Sequence, residues 1–397
     1  MTRDKSSFSQ ESDITAGGVS SARLDDRSGM RALVSKLRTI RSRWHTENSG
    51  AKSPGVAEPE LEFDSGLDCD WAATDSRFER VLHVFHRPWR GIRAAAGYLP
   101  GHKLAIAADG SISEPALRNA AELIGANRIE AAVLHGFSVN AELLFRTLRS
   151  LLSPRSLRLY AVWHGNTAQL SVDAEATALQ RVLKLRRKGI LRGIGCVKGN
   201  LHQLSSLFFQ KTLLNLPPKV AATTRSPNLD QLSAFIPIPN DWRKNFYTNL
   251  YAAANSPEIR RIDVTSQFRS ISEFEHNKRI VIHPNLNRSR FIEIVREAGV
   301  VLGVTLSECQ PMVQLEAAAL GTPCLTGVLG LDELEGDPYM KLAQVTPSDS
   351  SAAIQRKMRA VFSIQRDHPS ELAEMIEGFC TYFRREAASR YAEFLEL

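Results

Sequence analysis

Short apolar runs alternate with amphipathic segments along the chain from Arg77 onward. Arg80–Phe85 has the composition of a buried strand, and Ile92–Ala96 after it has helical character. Strands that alternate with helices indicate βαβ units, and therefore a parallel sheet covered by helices on both faces. In this first series we predict strands at Lys103–Ala107, Ala131–His135, Arg158–Trp163 and Ile190–Val197, and helices at Glu114–Gly125, Ala141–Leu152 and Ala174–Lys188.

A second series of the same kind begins after a proline-rich stretch at Leu216–Pro218 and Pro227. The pattern predicts an α/β fold of two doubly wound, Rossmann-like domains, with residues 76–225 in the first and 226–397 in the second. Ligands of such folds bind at the carboxyl ends of the strands, so a cleft between the domains is the expected site. The second series has predicted strands at Ser233–Ile238, Glu258–Val264, Arg279–His283, Val300–Leu306 and Pro323–Thr326, and helices at Asn245–Ala254, Phe291–Ala298 and Met312–Leu320.

Residues 1–75 have a different composition, poor in core residues and rich in Ser, Asp, Gly and Arg. A segment of this kind buries too little apolar surface to fold alone, so we predict a largely disordered basic arm. Within it, residues 29–45 combine apolar residues at helical spacing with interleaved arginines and end near Trp44. One interpretation is an amphipathic helix that lies on an anionic membrane surface. The alternatives are a helix docked on the protein itself or a solvated basic arm.

Composition restricts the class of protein further. The 397 residues contain no apolar run of the roughly 18 residues that span a membrane, and the first residues lack the apolar core of a secretion signal. Five scattered cysteines without zinc spacing are typical of reduced thiols, which favours a cytoplasmic protein, with the membrane's inner face as a further location. The net charge of +7 suits a phosphate-bearing ligand, and no nucleic-acid motif is evident.

The segment Val300–Pro323 carries the strongest candidate chemistry. A buried strand is predicted to end at Ser307 and Glu308, and a helix to open at Pro311, where proline is well tolerated. The free N–H groups of a helix start suit phosphate or sugar oxygens. Glu316 lies about one and a half turns into that helix, and a carboxylate there can accept hydrogen bonds from both hydroxyls of a ribose.

This segment resembles the Glu-x7-Glu signature of retaining GT-B glycosyltransferases of family 4, specifically over about 280–332 and more loosely over about 77–360. The resemblance implies a hexosyltransferase-type enzyme that takes a sugar from a nucleotide-diphosphate donor to a glycan or lipid-linked acceptor. It places the donor in the second domain and the acceptor in the first. Glu308 would approach the donor sugar, Glu316 would hold the ribose, and the backbone near Ser307, Gln310, Pro311, Met312 and Val313 would meet the sugar or diphosphate.

A cation for the diphosphate is expected at Lys244, which matches the lysine of a Lys-Asn or Lys-Gly pair in the resembled family. The arginine that precedes this pair in the family is absent. Arg243 is adjacent and is a candidate for donor binding, although neighbouring residues on an α-helix point in different directions. Arg269, Arg288 and Arg290 are further candidates for the second cation.

In the first domain, His164 follows a predicted strand and matches a His-Gly element of the family near the acceptor side. Its tunable pKa would let it position a hydroxyl or support the departing diphosphate. His135 is a weaker candidate of the same kind. Gly91 is expected in a loop where the backbone approaches the diphosphate, although turns use glycine routinely.

No metal or other cofactor is expected, because His83 and His86 lack further ligands at zinc spacing and the only Asp-x-Asp lies in the N-terminal arm. Three functions remain open. The first is a retaining, metal-independent glycosyltransferase of cell-envelope polysaccharide or glycoconjugate synthesis. The second is a GT-B nucleotide-sugar epimerase. The third is a catalytically silent glycosyltransferase-like subunit that binds a partner enzyme.

Overall fold

The chain folds around two separate β-sheets. The computed structural model describes residues 60–63, 72–107, 112–220, 232–268, 274 and 277–397. Within this part of the chain, the first sheet has six strands and the second has five. Each predicted series of strands and helices thus forms a sheet of its own, and the α/β fold class is confirmed. The predicted helix at 29–45 lies outside the described residues.

The first sheet uses the residues from Leu61 to Cys196. Two of its helices have a serine as the N-cap residue. Ser113 accepts a hydrogen bond from the Ala116 N–H, and Ser138 accepts one from the Ala141 N–H. Each bond satisfies a backbone donor that the helix itself leaves free. The strands are β1 (Leu61–Phe63), β2 (Val81–His86), β3 (His102–Ile106), β4 (Ala131–His135), β5 (Arg158–Trp163) and β6 (Gly193–Cys196), and the helices are α1 (Arg90–Gly97), α2 (Glu114–Ala126), α3 (Val139–Leu151) and α4 (Asp173–Arg187).

The second sheet and the C-terminal helices use the residues from Ser233 onward. The strands of this sheet are mostly apolar, and the central strands β7 and β10 are largely buried, as expected for strands that helices cover on both sides. They are β7 (Ser233–Ile236), β8 (Arg261–Val264), β9 (Ile280–Ile282), β10 (Val300–Gly303) and β11 (Cys324–Thr326), and the helices are α5 (Phe246–Ala254), α6 (Arg288–Glu297), α7 (Met312–Ala319), α8 (Pro338–Ala343), α9 (Ser351–Asp367) and α10 (Pro369–Leu395).

The strand order places one crevice in each sheet. The first sheet has the order β1-β3-β2-β4-β5-β6, and all its pairs are parallel except β1 with β3. The second sheet is fully parallel with the order β11-β10-β7-β8-β9. In that sheet the chain moves outward from β7 to β9 and then returns to the other side of β7 at β10. The order therefore reverses between β7 and β10, and doubly wound sheets bind ligands at such a reversal.

Strand β1 corrects one expectation. Residues 61–63 belong to the segment predicted to be disordered, but they pair with the free edge of β3, with Leu61 opposite Ile106 and Phe63 opposite Leu104. Three residues are too short to give a periodic pattern, and the edge of an existing sheet supplies the backbone partners that the segment lacks alone.

The last helix, α10, connects the two halves. Phe379 in its first part packs on Tyr339, which follows the second sheet, with ring centroids 5.0 Å apart. Phe394 near its end packs edge-on against Tyr160 of β5 at 5.2 Å. Tyr160 Oη also donates to the Leu395 carbonyl at 3.2 Å. One helix therefore contributes to the cores of both sheets. Among the described residues, no helix is long and apolar enough to cross a membrane.

Candidate functional site

The crevice between β7 and β10 receives two cations from the loop after β7. Asp241 begins a short 3₁₀ helix at Trp242–Lys244 by accepting the Arg243 N–H at 2.8 Å. Asn245 ends it in the left-handed conformation, with φ of 59°. The Asn245 amide holds this turn in place by donating to Val304 O at 3.2 Å and to Ser348 O at 2.7 Å. The turn is thereby fixed against the end of β10.

Arg243 and Lys244 both reach the turn that follows β10. Lys244 Nζ donates to Glu308 Oε2, and Arg243 NH1 lies 3.6 Å from the same oxygen. Arg243 NH1 also donates to the Ser307 carbonyl at 2.9 Å. The expectation that adjacent residues here would diverge was wrong, because the segment is a single 3₁₀ turn and not an α-helix. Arg243 is therefore the cation that lies beside Lys244 at this turn.

The other arginines considered for the second cation either lie away from the Ser307–Glu308 turn or fall outside the described residues. Arg290 is paired with Glu293 on the exposed side of α6, at 2.9 Å. Arg288 contacts Glu316 instead of the Ser307–Glu308 turn. Arg269 lies outside the described residues.

The third cation at this turn, Lys198, was not predicted from the sequence. Lys198 follows β6 of the first sheet, and its Nζ donates to the carbonyls of Glu308 at 3.0 Å and Leu329 at 2.8 Å. Asn166 of the first half donates to the Ser307 carbonyl at 3.3 Å. Neither residue belongs to a local motif, since only the packing of the two halves brings them to the turn.

Gln310 anchors the turn to the first half of the chain. Its Nε2 donates to Val197 O at 2.7 Å and to Leu213 O at 2.8 Å, and its Oε1 accepts the Asn215 N–H at 2.7 Å. The side chain is 5% exposed. Its side-chain polar atoms are therefore used inside the protein, its carbonyl accepts from the Asn215 amide at 3.2 Å, and only its backbone N–H remains a candidate for ligand contact.

Helix α7 starts directly after this turn, with Pro311 as its N-cap residue. Pro311 accepts the Gln314 N–H at 3.0 Å but has no N–H of its own. The N–H groups of Met312 and Val313 occupy the first helical positions, where a helix supplies no internal acceptor. The predicted helix start is thus confirmed to within one residue, and its two leading amides lie on the same turn as Glu308.

Glu316 is buried within α7, at 4% exposure, and has partners from both halves. Tyr98 Oη, just after α1, donates to Glu316 Oε1 at 2.5 Å. Arg288 NH1, at the start of α6, lies 3.0 Å from the same oxygen, and Arg288 NH2 donates to Tyr98 Oη. That Glu316 binds the ribose stays a prediction. Such binding requires that Tyr98 or Arg288 release Glu316 Oε1, so that the oxygen can accept from the nucleotide.

Gly91 does not lie in a loop. It is the second residue of α1, and a Cβ atom added there would meet nothing within 4 Å. The close approach in this region occurs at Gly136, after β4, where an added Cβ would lie 2.7 Å from the Trp89 ring. The Trp89 ring also contacts the His86 ring of β2, with centroids 3.9 Å apart and an interplanar angle of 33°.

His164 lies where the first half meets the Glu308 turn. Its backbone carbonyl accepts a hydrogen bond from Cys309 Sγ at 3.4 Å. Its ring Nε2 lies 3.1 Å from His135 Nδ1. Burial lowers the pKa of His164 to about 4, so the ring is neutral at neutral pH.

Cys309 is a packing residue. It is 3% exposed, and burial, followed by the charge of Glu308, raises the pKa of its thiol to about 12. A thiol with so high a pKa is not a nucleophile at neutral pH.

The site can therefore bind an anion from several sides. Arg243 and Lys244 contact the Glu308 carboxylate, Lys198 contacts the Glu308 carbonyl, and the first amides of α7 lie on the same turn. Burial of about four fifths of the Arg243 and Lys244 side chains strengthens their attraction for an anion relative to exposed cations.

Comparison with known proteins identifies the fold. No protein family model matches the chain, and no curated protein matches its sequence. HepE from Anabaena, solved with UDP and glucose, is 10% identical with a TM-score of 0.51, over 80% of this chain and 99% of HepE. Sucrose-phosphate synthase from Thermosynechococcus elongatus is 14% identical with a TM-score of 0.50, over 79% of this chain and 98% of the synthase.

TarM is also similar, at 11% identity and a TM-score of 0.50, over 71% of this chain and 58% of TarM. Identities this low establish the fold alone. The described chain has the GT-B glycosyltransferase fold, in which two Rossmann-like halves are built on separate, largely parallel sheets.

Proposed function

We propose that the protein is a glycosyltransferase that binds a nucleotide-diphosphate-sugar in the crevice between β7 and β10. The observation that carries this proposal is the convergence of Arg243 and Lys244 on the Ser307–Glu308 turn, at the reversal point of the second sheet. In doubly wound sheets this is the position of the ligand. HepE, which shares the fold, is described in complex with UDP and glucose.

The electrostatics favour a diphosphate as the anchored group. The negative charge of a diphosphate would be poorly compensated by one lysine. Arg243 supplies a planar guanidinium that can donate two parallel hydrogen bonds, and Lys244 supplies a compact ammonium charge. Glu308 holds both cations in place before the ligand arrives. A bound diphosphate would then share or replace the carboxylate as their partner, with the leading amides of α7 as further donors.

In the proposed reaction the bond between the sugar's anomeric carbon and the diphosphate breaks, a bond to the oxygen of an acceptor hydroxyl forms, and the hydroxyl proton passes to the departing diphosphate. The cations and amides stabilise the negative charge that develops on the departing diphosphate. We propose that transfer proceeds with retention and without a dedicated metal ion, as the resemblance of Glu308 and Glu316 to the Glu-x7-Glu signature implies. The acceptor would be a glycan or lipid-linked molecule in envelope polysaccharide or glycoconjugate synthesis.

Turnover of a donor panel by the purified chain tests this function. Release of nucleoside diphosphate is measured with UDP-, GDP-, ADP- and TDP-sugars, with and without lipid-linked acceptors. We expect turnover of at least one donor, and Lys244→Ala should slow it by about 10²–10³-fold, the usual cost of losing a positioned electrostatic donor. Lys184→Ala, an exposed lysine of α4, is the matched control. Equal rates for Lys244→Ala and wild type would contradict the assignment.

A catalytically silent subunit is the second candidate function. The contacts of Glu316 with Tyr98 and Arg288 favour it, because they already occupy, within the protein, the carboxylate that is proposed to bind the ribose. The donor panel separates the two candidates. Nucleoside diphosphate that raises the melting temperature without turnover of any donor would favour the silent subunit. Inversion of a hydroxyl in the recovered nucleotide-sugar would instead indicate the epimerase.

Membrane association through residues 29–45 is a separate proposal, supported by their basic amphipathic sequence. Because β1 pairs with β3, a deletion should stop at residue 59 so that the sheet is preserved. The full chain should bind vesicles containing anionic lipid in a salt-sensitive manner, and the deletion variant should not. Equal vesicle binding by both proteins would contradict a membrane role for the arm.

A further inference from the structure

Three histidines form a continuous hydrogen-bonded line through the first sheet to the edge of the site. His83 lies in β2, His135 ends β4, and His164 follows β5. His83 Nδ1 is 3.0 Å from His135 Nε2, and His135 Nδ1 is 3.1 Å from His164 Nε2. At the inner end, His83 Nε2 is 3.0 Å from the carbonyl of Pro100.

The Pro100 carbonyl gives this line a direction. A carbonyl only accepts, so His83 Nε2 must carry the proton. Burial lowers the pKa of both His83 and His135 well below the ordinary value, so both rings are neutral and each has one N–H. His83 Nδ1 therefore accepts from His135 Nε2, and His135 Nδ1 accepts from His164 Nε2.

The same logic fixes the outer ring. His164 has its single proton on Nε2, and its Nδ1 has a lone pair and no proton. We propose that His83 and His135 are positioning residues that set the tautomer and orientation of His164, so that Nδ1 is presented as a hydrogen-bond acceptor. Such an atom can accept from a substrate hydroxyl but cannot donate to a phosphate. Of the two roles expected for His164, the geometry thus selects the first.

The line orients His164 and does not carry its proton away. Lys103 lies at the inner end, 2% exposed, and its Nζ donates to the carbonyls of Leu99 and Gly101. Its positive charge lowers the pKa of His83 and His135 further, so a proton passed inward would meet repulsion.

The surroundings hold the rings in this arrangement. His83 and His135 are both fully buried, and the Tyr391 ring of α10 stacks on His135 with centroids 6.3 Å apart. Burying three imidazoles is favourable only when each ring nitrogen has a partner, which the line provides for the inner two rings. A packing role alone would be met equally by apolar side chains of similar size.

Nuclear magnetic resonance of ¹⁵N-histidine-labelled full-length protein tests the proposal directly. The long-range ¹H–¹⁵N spectrum distinguishes the two tautomers, and His164→Gln assigns the His164 signals. We expect wild-type His164 to be protonated at Nε2 alone. Protonation at Nδ1 in the wild type would overturn the proposal, and this outcome requires no variant of the buried rings.

Two substitutions of His135 extend the test. His135→Phe removes the hydrogen-bond partner of both His83 and His164 and should leave His164 as a mixture of tautomers. His135→Gln retains an acceptor for His164 and a donor for His83, so it should preserve the wild-type signal. His368→Gln, an exposed histidine before α10, is the control. An unchanged His164 spectrum in folded His135→Phe would also overturn the proposal.

The substrate contact rests on the proposed function, but the tautomer measurement does not. It is made without substrate, so an inactive protein would leave its result intact. If a donor is turned over, His135→Phe should lower kcat/KM by about 10- to 100-fold, a usual cost of removing a partner that orients a functional histidine. His135→Gln should recover most of that loss, and equal losses in both variants would contradict a positioning role.

Discussion

At the scale of single residues, the contact between the two halves depends on side chains that are small enough to let the backbones touch. Gly199, just after β6, faces Gly330 across this contact. A Cβ atom added at Gly199 would lie 1.7 Å from the Gly330 carbonyl oxygen. Lys198, its neighbour, holds the Glu308 and Leu329 carbonyls, so the spacing at Gly199 also determines where this cation lies.

We therefore expect Gly199→Ala to lower the free energy of unfolding by about 1–3 kcal/mol, the usual cost of overpacking. Gly378→Ala is the matched control, because Gly378 lies inside α10 with nothing within 4 Å of an added Cβ. Alanine there should stabilise the protein by about 0.5–1 kcal/mol. Urea unfolding of both variants measures the difference, and a neutral Gly199→Ala would contradict the close contact.

Residue patterns predicted part of the site and missed the rest. Ser307, Glu308, Pro311 and Glu316 were found because they lie in one continuous strand-turn-helix segment. Lys198 could not be found, because its contact with the turn joins positions 110 residues apart. The direction of the Arg243 side chain was misjudged for a local reason, since a three-residue 3₁₀ turn and the start of an α-helix look alike in sequence.

At the scale of elements, α7 joins the halves through Glu316. Its partners Tyr98 and Arg288 come from the ends of α1 and α6, so one buried carboxylate ties three helices together. If Glu316 binds the donor ribose, this arrangement competes with the nucleotide. We therefore expect that weakening the contacts of Glu316 with Tyr98 and Arg288 strengthens nucleotide binding.

Tyr98→Phe removes one donor to Glu316 while preserving the ring. We expect it to destabilise the unliganded protein by about 1 kcal/mol, the typical net value of one hydrogen bond. Nucleoside diphosphate should bind more tightly, by up to about fivefold, if that energy is recovered on binding. Titration calorimetry measures the affinity, and a Kd raised tenfold would show that Tyr98 itself supports the ligand.

Predicted elements were most accurate where the strand is central and fully buried. The bounds of β4 and β5 agree with the predictions residue for residue, because uninterrupted apolar runs end at polar residues. The strand predicted at 300–306 ends at Gly303, since Val304 and Thr305 remain apolar or β-branched after the pairing stops. β1 and the start of α1 were missed because tertiary contacts, and not local patterns, define them.

At the scale of the whole molecule, buried histidines make stability depend on pH. His83, His86, His135 and His164 are held neutral, and burial lowers the pKa of His86 to about 3 and that of His164 to about 4. Unfolding exposes these rings and restores an ordinary pKa near 6.5. Between these values the unfolded chain binds more protons than the folded one, so acid favours unfolding.

The free energy of unfolding should therefore fall as pH decreases from about 6.5 toward 4. For His164 the full shift corresponds to roughly 3 kcal/mol, at about 1.4 kcal/mol for each unit. Denaturant unfolding at several pH values measures the slope. His86→Gln should make the slope shallower and His368→Gln should not. A stability that is constant over this pH range would contradict the buried neutral rings.

The central claim is that the crevice between β7 and β10 binds a nucleoside diphosphate through Arg243 and Lys244. Titration calorimetry of UDP, GDP and ADP into the wild type and into the Arg243→Gln/Lys244→Gln double variant tests it most directly. We predict that one of the nucleotides binds the wild type and that the double variant weakens it by at least about 100-fold, as for charged hydrogen bonds of about 1.5–3 kcal/mol each. An affinity unchanged in the folded double variant would contradict the claim.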